Sequence, residues 1–358
     1  MGKRSPRGPR PAGNSAAARP GSEKCSPSRG RLRSGAAAPW TLRGTPMVES
    51  ETIRCAVPAD LPALYELARA AFVHDTFGPA LLSEKLFGRP RTPEFEWHTF
   101  VAEIGRQPVG FLQTVVRRPV LGGGPGPPKA WVGLFAVDAA HRRRGVARRL
   151  LERAEQTWPA DTAEVEVLAI PGNYFTPGLD PRYTAALCFL ERCGFERFRD
   201  CVNLVGELDH AFDTAGEEAR LAGDGIVIRR ARDDDGPRLD AFFAANFGAD
   251  WRFEVYLAHA QSPPGLHLAL RQDRIVAFAA HSGQNREWGF FGPMGTAPEA
   301  RGHGLGRVLL WHCLNDLRAA GHRTALIPWV GPISFYHAWA GCRVARVFWR
   351  YRRALASG

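Results

Sequence analysis

His141-Arg-Arg-Arg-Gly-Val-Ala147 and Ala300-Arg-Gly-His-Gly-Leu-Gly306 are two copies of one short segment, 159 positions apart when counted from Arg142 to Arg301. Each copy follows an apolar strand-like run and precedes a long amphipathic helix pattern. A strand that turns through glycine into a helix presents unpaired backbone N–H groups and a positive helix end to an anion. The repeat therefore predicts two similar domains, each with a loop suited to a pyrophosphate-bearing ligand.

Length and composition favour a soluble two-domain protein. The 358 residues, 45% of them hydrophobic, are enough for two ordinary cores. No run approaches the roughly 18 consecutive apolar residues of a membrane span, and the N-terminus has no apolar secretory signal, so we expect a cytoplasmic protein without a membrane partner. Seven cysteines, without a C-x-x-C pair or histidines at zinc spacing, indicate reduced thiols and no metal.

The basic charge of the chain is concentrated at its N-terminus. Residues 1–46 hold ten of the 47 Lys and Arg residues and one of the 36 Asp and Glu residues, so residues 47–358 account for only +2 of the formal net charge of +11. The first segment lacks apolar periodicity, which predicts a disordered basic tail. Met47 is an alternative start site, which would leave the tail untranslated. The folded part is nearly neutral, so we do not expect nucleic-acid binding.

Hydrophobic periodicity predicts the same order of elements in two units, residues 47–208 and 225–358, joined by a linker or short helix at 209–224. In each unit a strand and two helices precede three strands, and the third strand runs into the glycine-containing loop. In the second unit that third strand is predicted at residues 287–294. A long helix, a fifth strand, a shorter helix and a closing strand or strand pair follow.

At these residues the chain resembles the GCN5-related N-acetyltransferase (GNAT) family, whose pyrophosphate loop has the pattern Arg/Gln-x-x-Gly-x-Gly/Ala. Arg142-Arg-Arg-Gly145-Val-Ala147 and Arg301-Gly-His-Gly304-Leu-Gly306 both match it, each between the strand and the helix where the family has its loop. The resemblance covers about residues 52–353. It implies an α/β (α+β) fold with two tandem GNAT-type domains, each a mixed, mostly antiparallel central sheet flanked by helices.

The resemblance also implies which residues contact the acyl donor, acetyl-CoA. In the family, backbone amides of the strand before the loop orient the pantetheine arm and the acetyl carbonyl, and the loop holds the pyrophosphate. Carried over to this sequence, the set is Phe135, Ala136, Val137, Arg142, Arg143, Arg144, Gly145, Val146 and Ala147 in the first unit, and Met294, Gly295, Thr296, Arg301, Gly302, His303, Gly304, Leu305 and Gly306 in the second. No metal is implied.

Two other phosphate-binding motifs do not fit these loops. A P-loop needs Gly-Lys followed by Ser or Thr, and neither loop has them. A dinucleotide fold needs three spaced glycines early in a parallel sheet and an acidic residue about 20 positions later, whereas these loops fall in the middle of each unit. Coenzyme A is therefore the favoured ligand.

The family transfers the acetyl group by direct attack and usually has a tyrosine, on the helix after the fifth strand, that protonates the leaving thiolate. Tyr336 occupies that position in the second unit, and Leu190 occupies it in the first. Leucine cannot donate a proton. We therefore expect the C-terminal unit to carry the chemistry, with Tyr336 catalytic, and the N-terminal unit to bind coenzyme A without turnover or to act as a scaffold. The alternative for Tyr336 is a structural, hydrogen-bonded interior tyrosine.

The sequence indicates the general base and the acceptor pocket less clearly than the acetyl-CoA site. His281 and Glu287 lie on or beside predicted strands and could face a substrate through a water, although a solvated or core role is favoured for both. Asn173, Tyr174 and Phe175 follow the fifth strand of the first unit. They either line an acceptor pocket or form an ordered turn with the aromatic rings packed beneath it.

Three functions follow from these observations. The leading hypothesis is an acetyl-CoA-dependent N-acetyltransferase that acts on a primary amine of a small molecule. The second is a non-catalytic protein that binds or senses acyl-CoA, which Leu190 motivates. The third is a protein N-acetyltransferase or a nucleic-acid modifier guided by the basic tail.

Overall fold

The computed structural model describes residues 51–88, 95–118, 128–247 and 249–355. They fall within one unit, Val48–Gly358. The predicted basic tail at 1–46 lies outside the described residues. Among the helices of the described ranges, none is both long and apolar enough to cross a lipid bilayer.

The elements of the described chain follow the predicted order. The first half contains β1 (Glu51–Cys55), α1 (Leu61–Ala71), α2 (Pro79–Leu86), β2 (Phe95–Ile104), β3 (Gln107–Arg117), β4 (Lys129–Val137), α3 (Val146–Glu155), β5 (Glu164–Val167), α4 (Thr184–Arg192) and β6 (Glu196–Glu207). The second contains α5 (Ala215–Gly223), β7 (Ile226–Arg230), α6 (Gly236–Asn246), α7 (Ala249–His259), β8 (Leu266–Arg271), β9 (Arg274–His281), β10 (Phe291–Thr296), α8 (Leu305–Ala319), β11 (Thr324–Ile327), α9 (Ile333–Ala340) and β12 (Arg343–Ala354).

The strand predicted at 287–294 begins later than expected. Residues 286–288 form a short 3-10 turn, and β10 begins at Phe291. Asn285 and Gly289, which flank this turn, have left-handed backbone with φ of 49° and 60°. Extended pairing needs negative φ, so the strand cannot include these residues.

The sheet of each half is mixed and mostly antiparallel, as predicted. In the first half, β1 to β4 are successive antiparallel neighbours, and β4 pairs with β5 in parallel. In the second half, β7 to β10 repeat the antiparallel order, and β10 meets β11 in parallel at a bridge between Phe290 and Leu326. The tandem fold predicted from the repeated loop is confirmed.

The last strands of the two halves are exchanged. The larger sheet has the order β1-β2-β3-β4-β5-β12-β6-β11. β12 lies between β5 and β6, with Arg352 opposite Glu166 on one side and Phe348 opposite Cys201 on the other. β6 in turn is the antiparallel neighbour of β11. Each closing strand therefore extends the sheet of the other half.

The exchanged strands also complete the two apolar cores. Tyr351 of β12 is buried in the core that contains Phe111 and Leu150 of the first half. Leu204 of β6 is buried in the core that contains Leu309 of the second half. Because each core needs a strand from the other half, we expect the two halves to unfold together.

A buried ionic cluster ties β12 to the first half. Arg346 of β12 pairs with Asp180 at 2.7 Å and also with Asp75, and the two carboxylate side chains are only 4% and 3% exposed. Burial opposes the ionisation of Asp180, but hydrogen bonds from Arg182 and Arg346 hold the pKa of this carboxyl group below its usual value. The positive charge of Arg346 is therefore required to compensate these two buried carboxylates.

Arg346→Ala should lower the free energy of unfolding by about 3–5 kcal/mol, because it removes the cation between two buried carboxylates. Arg343→Ala on the same strand is the matched control. Its pair with Glu207 is exposed, so its removal should cost less than about 1 kcal/mol. Urea unfolding monitored by tryptophan fluorescence measures both variants, and equal losses would contradict the assignment.

Candidate active site

Both glycine-containing loops are sharp turns between a strand and a helix. Gly145 and Gly304 have left-handed backbone with φ of 87° and 80°, and α3 and α8 begin at the next residue. A side chain at either position would be strained. The first N–H groups of each helix are left without intrahelical partners at this turn, which is the geometry of an anion-binding site.

A second left-handed residue lies two positions before each of these glycines. It is Arg143 in the first loop, with φ of 64°, and Gly302 in the second, with φ of 85°. A Cβ built on Gly302 would meet nothing within 4 Å. The second loop therefore exposes open backbone where the first carries an arginine side chain.

The first arginine of each loop helps to hold the turn closed. Arg142 Nε donates to the carbonyl of Val137 at 3.0 Å, and Arg301 Nε donates to the carbonyl of Thr296 at 3.4 Å. Both arginines are exposed, so their terminal N–H groups stay accessible to a phosphate. This arginine thus has a structural role in addition to the ligand contact predicted for it.

The carbonyl just before each helix-starting glycine accepts from a guanidinium, but from different helices. In the first loop, Arg149 of α3 donates to the Arg144 carbonyl at 3.2 Å. In the second, Arg220 of α5 donates to the His303 carbonyl at 2.6 Å. Arg149 Nη1 also lies 2.5 Å from where a Cβ of Gly145 would be. An arginine therefore lies directly over the first loop.

The strand before each loop contains a β-bulge at the same place. On β4, residues 133–134 lie opposite Gln113 alone, and on β10, residues 292–293 lie opposite a single residue of β9. A bulge interrupts the ladder and leaves a residue unpaired. In the described part of the chain a single bridge joins this region to β11, between Phe290, the residue before β10, and Leu326, and past the bulge the two strands diverge. The divergence opens a cleft in the sheet.

The two bulges differ in what lies against them. A Cβ built on Gly133 would be 2.3 Å from the side-chain oxygen of Gln113, whose amide nitrogen donates to the Lys85 carbonyl at 2.7 Å. This buried glutamine fills the space at the first bulge. A Cβ on Gly292 would meet nothing within 4 Å, and the residue of β9 that corresponds to Gln113 is Ala280. The second bulge is therefore open where the first is filled.

A cavity of about 980 Å³ extends along the second bulge and the second loop. Its wall comprises residues 291–296, 300–307 and 327–332, Phe335, Tyr336 and Trp339, together with Pro171, Tyr174, Arg220, Trp251 and Glu254. Every second-half residue predicted to contact acetyl-CoA, at 294–296 and 301–306, lies on this wall.

The corresponding residues of the first half lie away from this cavity. The ring of Phe135 packs against Phe189 of α4 with centroids 5.8 Å apart. Ala136 and Val146 belong to the first core, where Val137 packs at the edge. The turn is preserved in this half, but Gln113 occupies the place of the opening.

Tyr336 of α9 lies on the cavity wall, 7% exposed, with its ring 6.1 Å from that of Phe291. Burial raises the pKa of its hydroxyl above the ordinary value, so the phenol stays protonated at neutral pH and can act as a donor. Leu190 is its counterpart, because the carbonyls of Leu190 and Tyr336 both accept from the N–H of the residue after a helix-ending glycine. Leu190 is fully buried in the first core.

Glu287 and His281, the two candidates for the general base, are engaged in structural contacts. Glu287 accepts from the N–H groups of Gly78 at 2.7 Å and Leu81 at 3.0 Å, so it caps the start of α2. His281 pairs with Asp316 at 3.0 Å. The structural alternative weighed for both residues therefore fits better than a role as base.

Asp316 of α8 accepts hydrogen bonds from two histidines and an arginine of the adjacent sheet. It accepts from His267 at 2.6 Å, His281 at 3.0 Å and Arg230 at 2.6 Å. The histidine and carboxylate ligand atoms lie within 4.8 Å of one another, close enough to hold a metal ion. Against the effect of burial, these hydrogen bonds hold the pKa of Asp316 below its usual value. Since Arg230 already compensates the carboxylate, we assign this cluster to packing.

Two of the residues at 173–175 form an ordered, packed turn, and the third lines the cavity. Asn173 donates to a backbone carbonyl of α2 at 2.9 Å, and Phe175 packs on Trp288 with ring centroids 4.7 Å apart, so both are structural. Tyr174 lies on the cavity wall, edge-on to Trp329 at 5.8 Å. One of the three residues therefore faces the candidate site.

Four residues that line the cavity could not be predicted from the sequence: Arg220, Trp251, Glu254 and Trp329. Arg220 lies on α5, Trp251 and Glu254 lie on α7, and Trp329 follows β11. No local motif marks them, because only the packing of distant segments brings them to the loop.

A family model described as the acetyltransferase (GNAT) family matches residues 61–171 and 233–337, which is one match in each half. No curated protein matches the chain by sequence.

Three solved structures share the fold at low sequence identity. A GCN5-related glucosamine N-acetyltransferase region of a fungal multidomain GH3 β-N-acetylglucosaminidase has a TM-score of 0.70 and 18% identity over 85% of this chain, which spans 38% of that protein. A GCN5-related N-acetyltransferase from Sphaerobacter thermophilus has a TM-score of 0.60 and 18% identity over 85% of this chain and 95% of its own. A tandem GNAT protein from the clavulanic acid biosynthesis pathway has a TM-score of 0.59 and 17% identity over 86% and 99%.

Gly304→Glu should weaken coenzyme A binding by about 100-fold or more, because a side chain strains this left-handed turn and places a negative charge where phosphates are expected. Gly145→Glu, the same change in the first loop, should leave that binding intact while lowering stability. Titration calorimetry of both variants with coenzyme A measures the difference. Loss of binding in Gly145→Glu alone would contradict the assignment of the site to the second half.

Proposed function

Since the chain belongs to the acetyltransferase (GNAT) family, we propose that its second half moves an acetyl group from acetyl-CoA to the primary amine of a small molecule. The observation that carries this proposal is the cavity in which the open bulge, the glycine-containing loop and Tyr336 meet. Donors for phosphate, for a carbonyl oxygen and for a leaving thiolate all lie on one wall.

The loop and the start of α8 would hold the phosphates of the donor. Their backbone N–H groups and the positive end of a 15-residue helix favour an anion, and Arg301 adds a cation at the rim. Gly292 and Gly302, on which a Cβ would meet nothing within 4 Å, leave the main chain open to close approach. The residues present therefore fit a ligand that is bound mainly through the backbone.

The reaction needs no nucleophile from the protein. The amine nitrogen, in its neutral form, bonds to the acetyl carbon as the carbon–sulfur bond breaks, and the nitrogen then loses a proton while the leaving thiolate gains one. Backbone N–H groups of residues 294–296, which line the cavity just past the bulge of β10, would stabilise the charge that builds on the carbonyl oxygen. The Tyr336 hydroxyl, kept neutral by burial, is the donor to the sulfur.

In this proposal the first half is a scaffold. Gln113 fills its bulge, and Leu190 stands where the second half has Tyr336. It contributes Pro171 and Tyr174 to the cavity of the other half.

We also propose that the chain divides at residues 209–224 into the halves 47–208 and 225–358, and that the protein works in the cytoplasm. The six cysteines of the described chain, Cys55, Cys188, Cys193, Cys201, Cys313 and Cys342, are all free thiols, which fits a reducing compartment.

Tyr336→Phe should lower kcat by about 100-fold with little change in the KM for acetyl-CoA, because it removes a donor and keeps the ring. Tyr65→Phe is the control. Its hydroxyl donates to the Phe77 carbonyl at 3.2 Å, away from the cavity, so the rate should not change. Thiol release is followed with a chromogenic disulfide from pH 6 to 9. An unaltered rate in Tyr336→Phe over this range would remove the residue from the mechanism.

A further inference from the structure

We propose that the adenine base of the donor stacks on Trp339, at a stacking platform formed by Trp339, Arg307 and Trp311 beside the second loop. The enzyme would then select a free nucleotide thioester over a thioester carried on a phosphopantetheine arm without a nucleotide. This inference rests on the proposed function and names a specificity-determining residue of that same site.

The indole of Trp339 offers accessible surface to the cavity. It is 40% exposed and lies on the cavity wall, on α9. Large aromatic side chains contribute most to stability when they are buried, so an indole exposed to this extent has area left for a ligand. A flat, unsaturated ring is the kind of group that such a surface binds best.

Arg307 of α8 connects this indole with the second loop. Its guanidinium carbon lies 4.2 Å from the centroid of the Trp339 ring and 5.3 Å from that of the Trp311 ring. One terminal nitrogen of the same group is 3.8 Å from where a Cβ of Gly304 would be. The cation that stacks on the indole therefore lies directly beside the turn proposed to hold the diphosphate.

The stacking platform is held in place from two helices. Trp311 Nε1 donates to the carbonyl of Trp339 at 2.7 Å, and the two indoles meet edge-on with centroids 6.3 Å apart. Glu217 of α5 pairs with Arg307 at 2.5 Å and orients the guanidinium. A surface fixed in this way loses little side-chain entropy when a base stacks on it.

The position of Trp339 fits the nucleotide end of the donor better than its arm. Tyr336 contacts Phe291 of β10. Trp339, almost one helical turn later, instead contacts Arg307 and Trp311 of α8. In a coenzyme A thioester the arm joins the sulfur to the diphosphate, so in the proposed function it spans from Tyr336 to the loop. The base is attached beyond the diphosphate through one ribose, and it therefore falls near Arg307.

The chemistry of the stacking platform suits a nucleobase. Indole rings bind bases by stacking, and guanidinium planes stack on aromatic rings in the same way. The first half differs at this place. Counted from the first arginine of each loop, Arg148 of α3 corresponds to Arg307, but Glu152 corresponds to Trp311. An acidic side chain thus replaces an indole there, so the stacking platform is a feature of the second half.

The test compares coenzyme A with 4′-phosphopantetheine, which has the same arm and lacks the nucleotide. In titration calorimetry with the full chain, Trp339→Ala should weaken coenzyme A binding by at least about tenfold, because it removes the stacking surface. The same variant should change the binding of 4′-phosphopantetheine by less than about twofold. Trp339→Phe keeps an aromatic face and should retain coenzyme A binding within about threefold.

Trp349→Ala is the matched control. Trp349 also lies under a guanidinium, with the Arg197 carbon 4.1 Å from its ring centroid, but it is on β12 and away from the cavity wall. Its removal should leave coenzyme A binding unchanged. Saturation-transfer NMR on the unaltered chain gives a readout that needs no variant. The adenine H2 and H8 protons of coenzyme A should receive strong transfer from the protein.

Unchanged coenzyme A binding in Trp339→Ala, an equal loss for coenzyme A and 4′-phosphopantetheine, an equal loss in Trp349→Ala, or adenine protons without transfer would each overturn the inference. All four outcomes leave the proposed function standing. If the unaltered chain binds neither ligand at millimolar concentration, the proposed function fails as well.

Discussion

The pairing of β6 with β12 is the constraint on which the rest of the structure depends. Each strand closes one half of the chain, yet it pairs within the sheet of the other. Beyond the sheet, Leu179 donates to the carbonyl of Trp349 on β12 at 2.9 Å, and Val330 donates to a carbonyl of β6 at 3.0 Å. These bonds hold the two segments from which Tyr174 and Trp329 reach the cavity. The candidate site is therefore a product of both halves.

The two halves share the same turn, but the space beside the turn is filled in the first half and open in the second. The helix-starting glycines and the bulges coincide, so the backbone geometry suited to an anion is present twice. What separates the halves is a small set of side chains: Gln113 fills one bulge where Ala280 leaves the other open, and Leu190 stands in place of Tyr336. A duplicated fold can thus keep one cleft for chemistry and use the other copy for support, because a single buried side chain is enough to close a cleft.

Much of this could be predicted from local sequence. Gly145 and Gly304 were recognisable because only glycine adopts such a turn without strain, and the helices followed from their apolar faces. The exchange of β6 and β12 could not be predicted, because hydrophobic periodicity identifies a strand but does not specify which strand it pairs with. The contacts of Glu287 could not be predicted for a similar reason: it caps α2, whose residues lie some 200 positions earlier. Glu254 escaped notice because only tertiary packing sets it among aromatic rings.

Hydrogen–deuterium exchange by mass spectrometry, with and without coenzyme A, tests the central claim most directly. The claim is that the ligand is bound by main-chain amides of the second half alone. It predicts slower exchange at residues 294–296 and 302–306 on addition of coenzyme A, with no change at 135–137 and 143–147. Protection of the first loop instead of the second, or protection of neither at saturating coenzyme A, would contradict it.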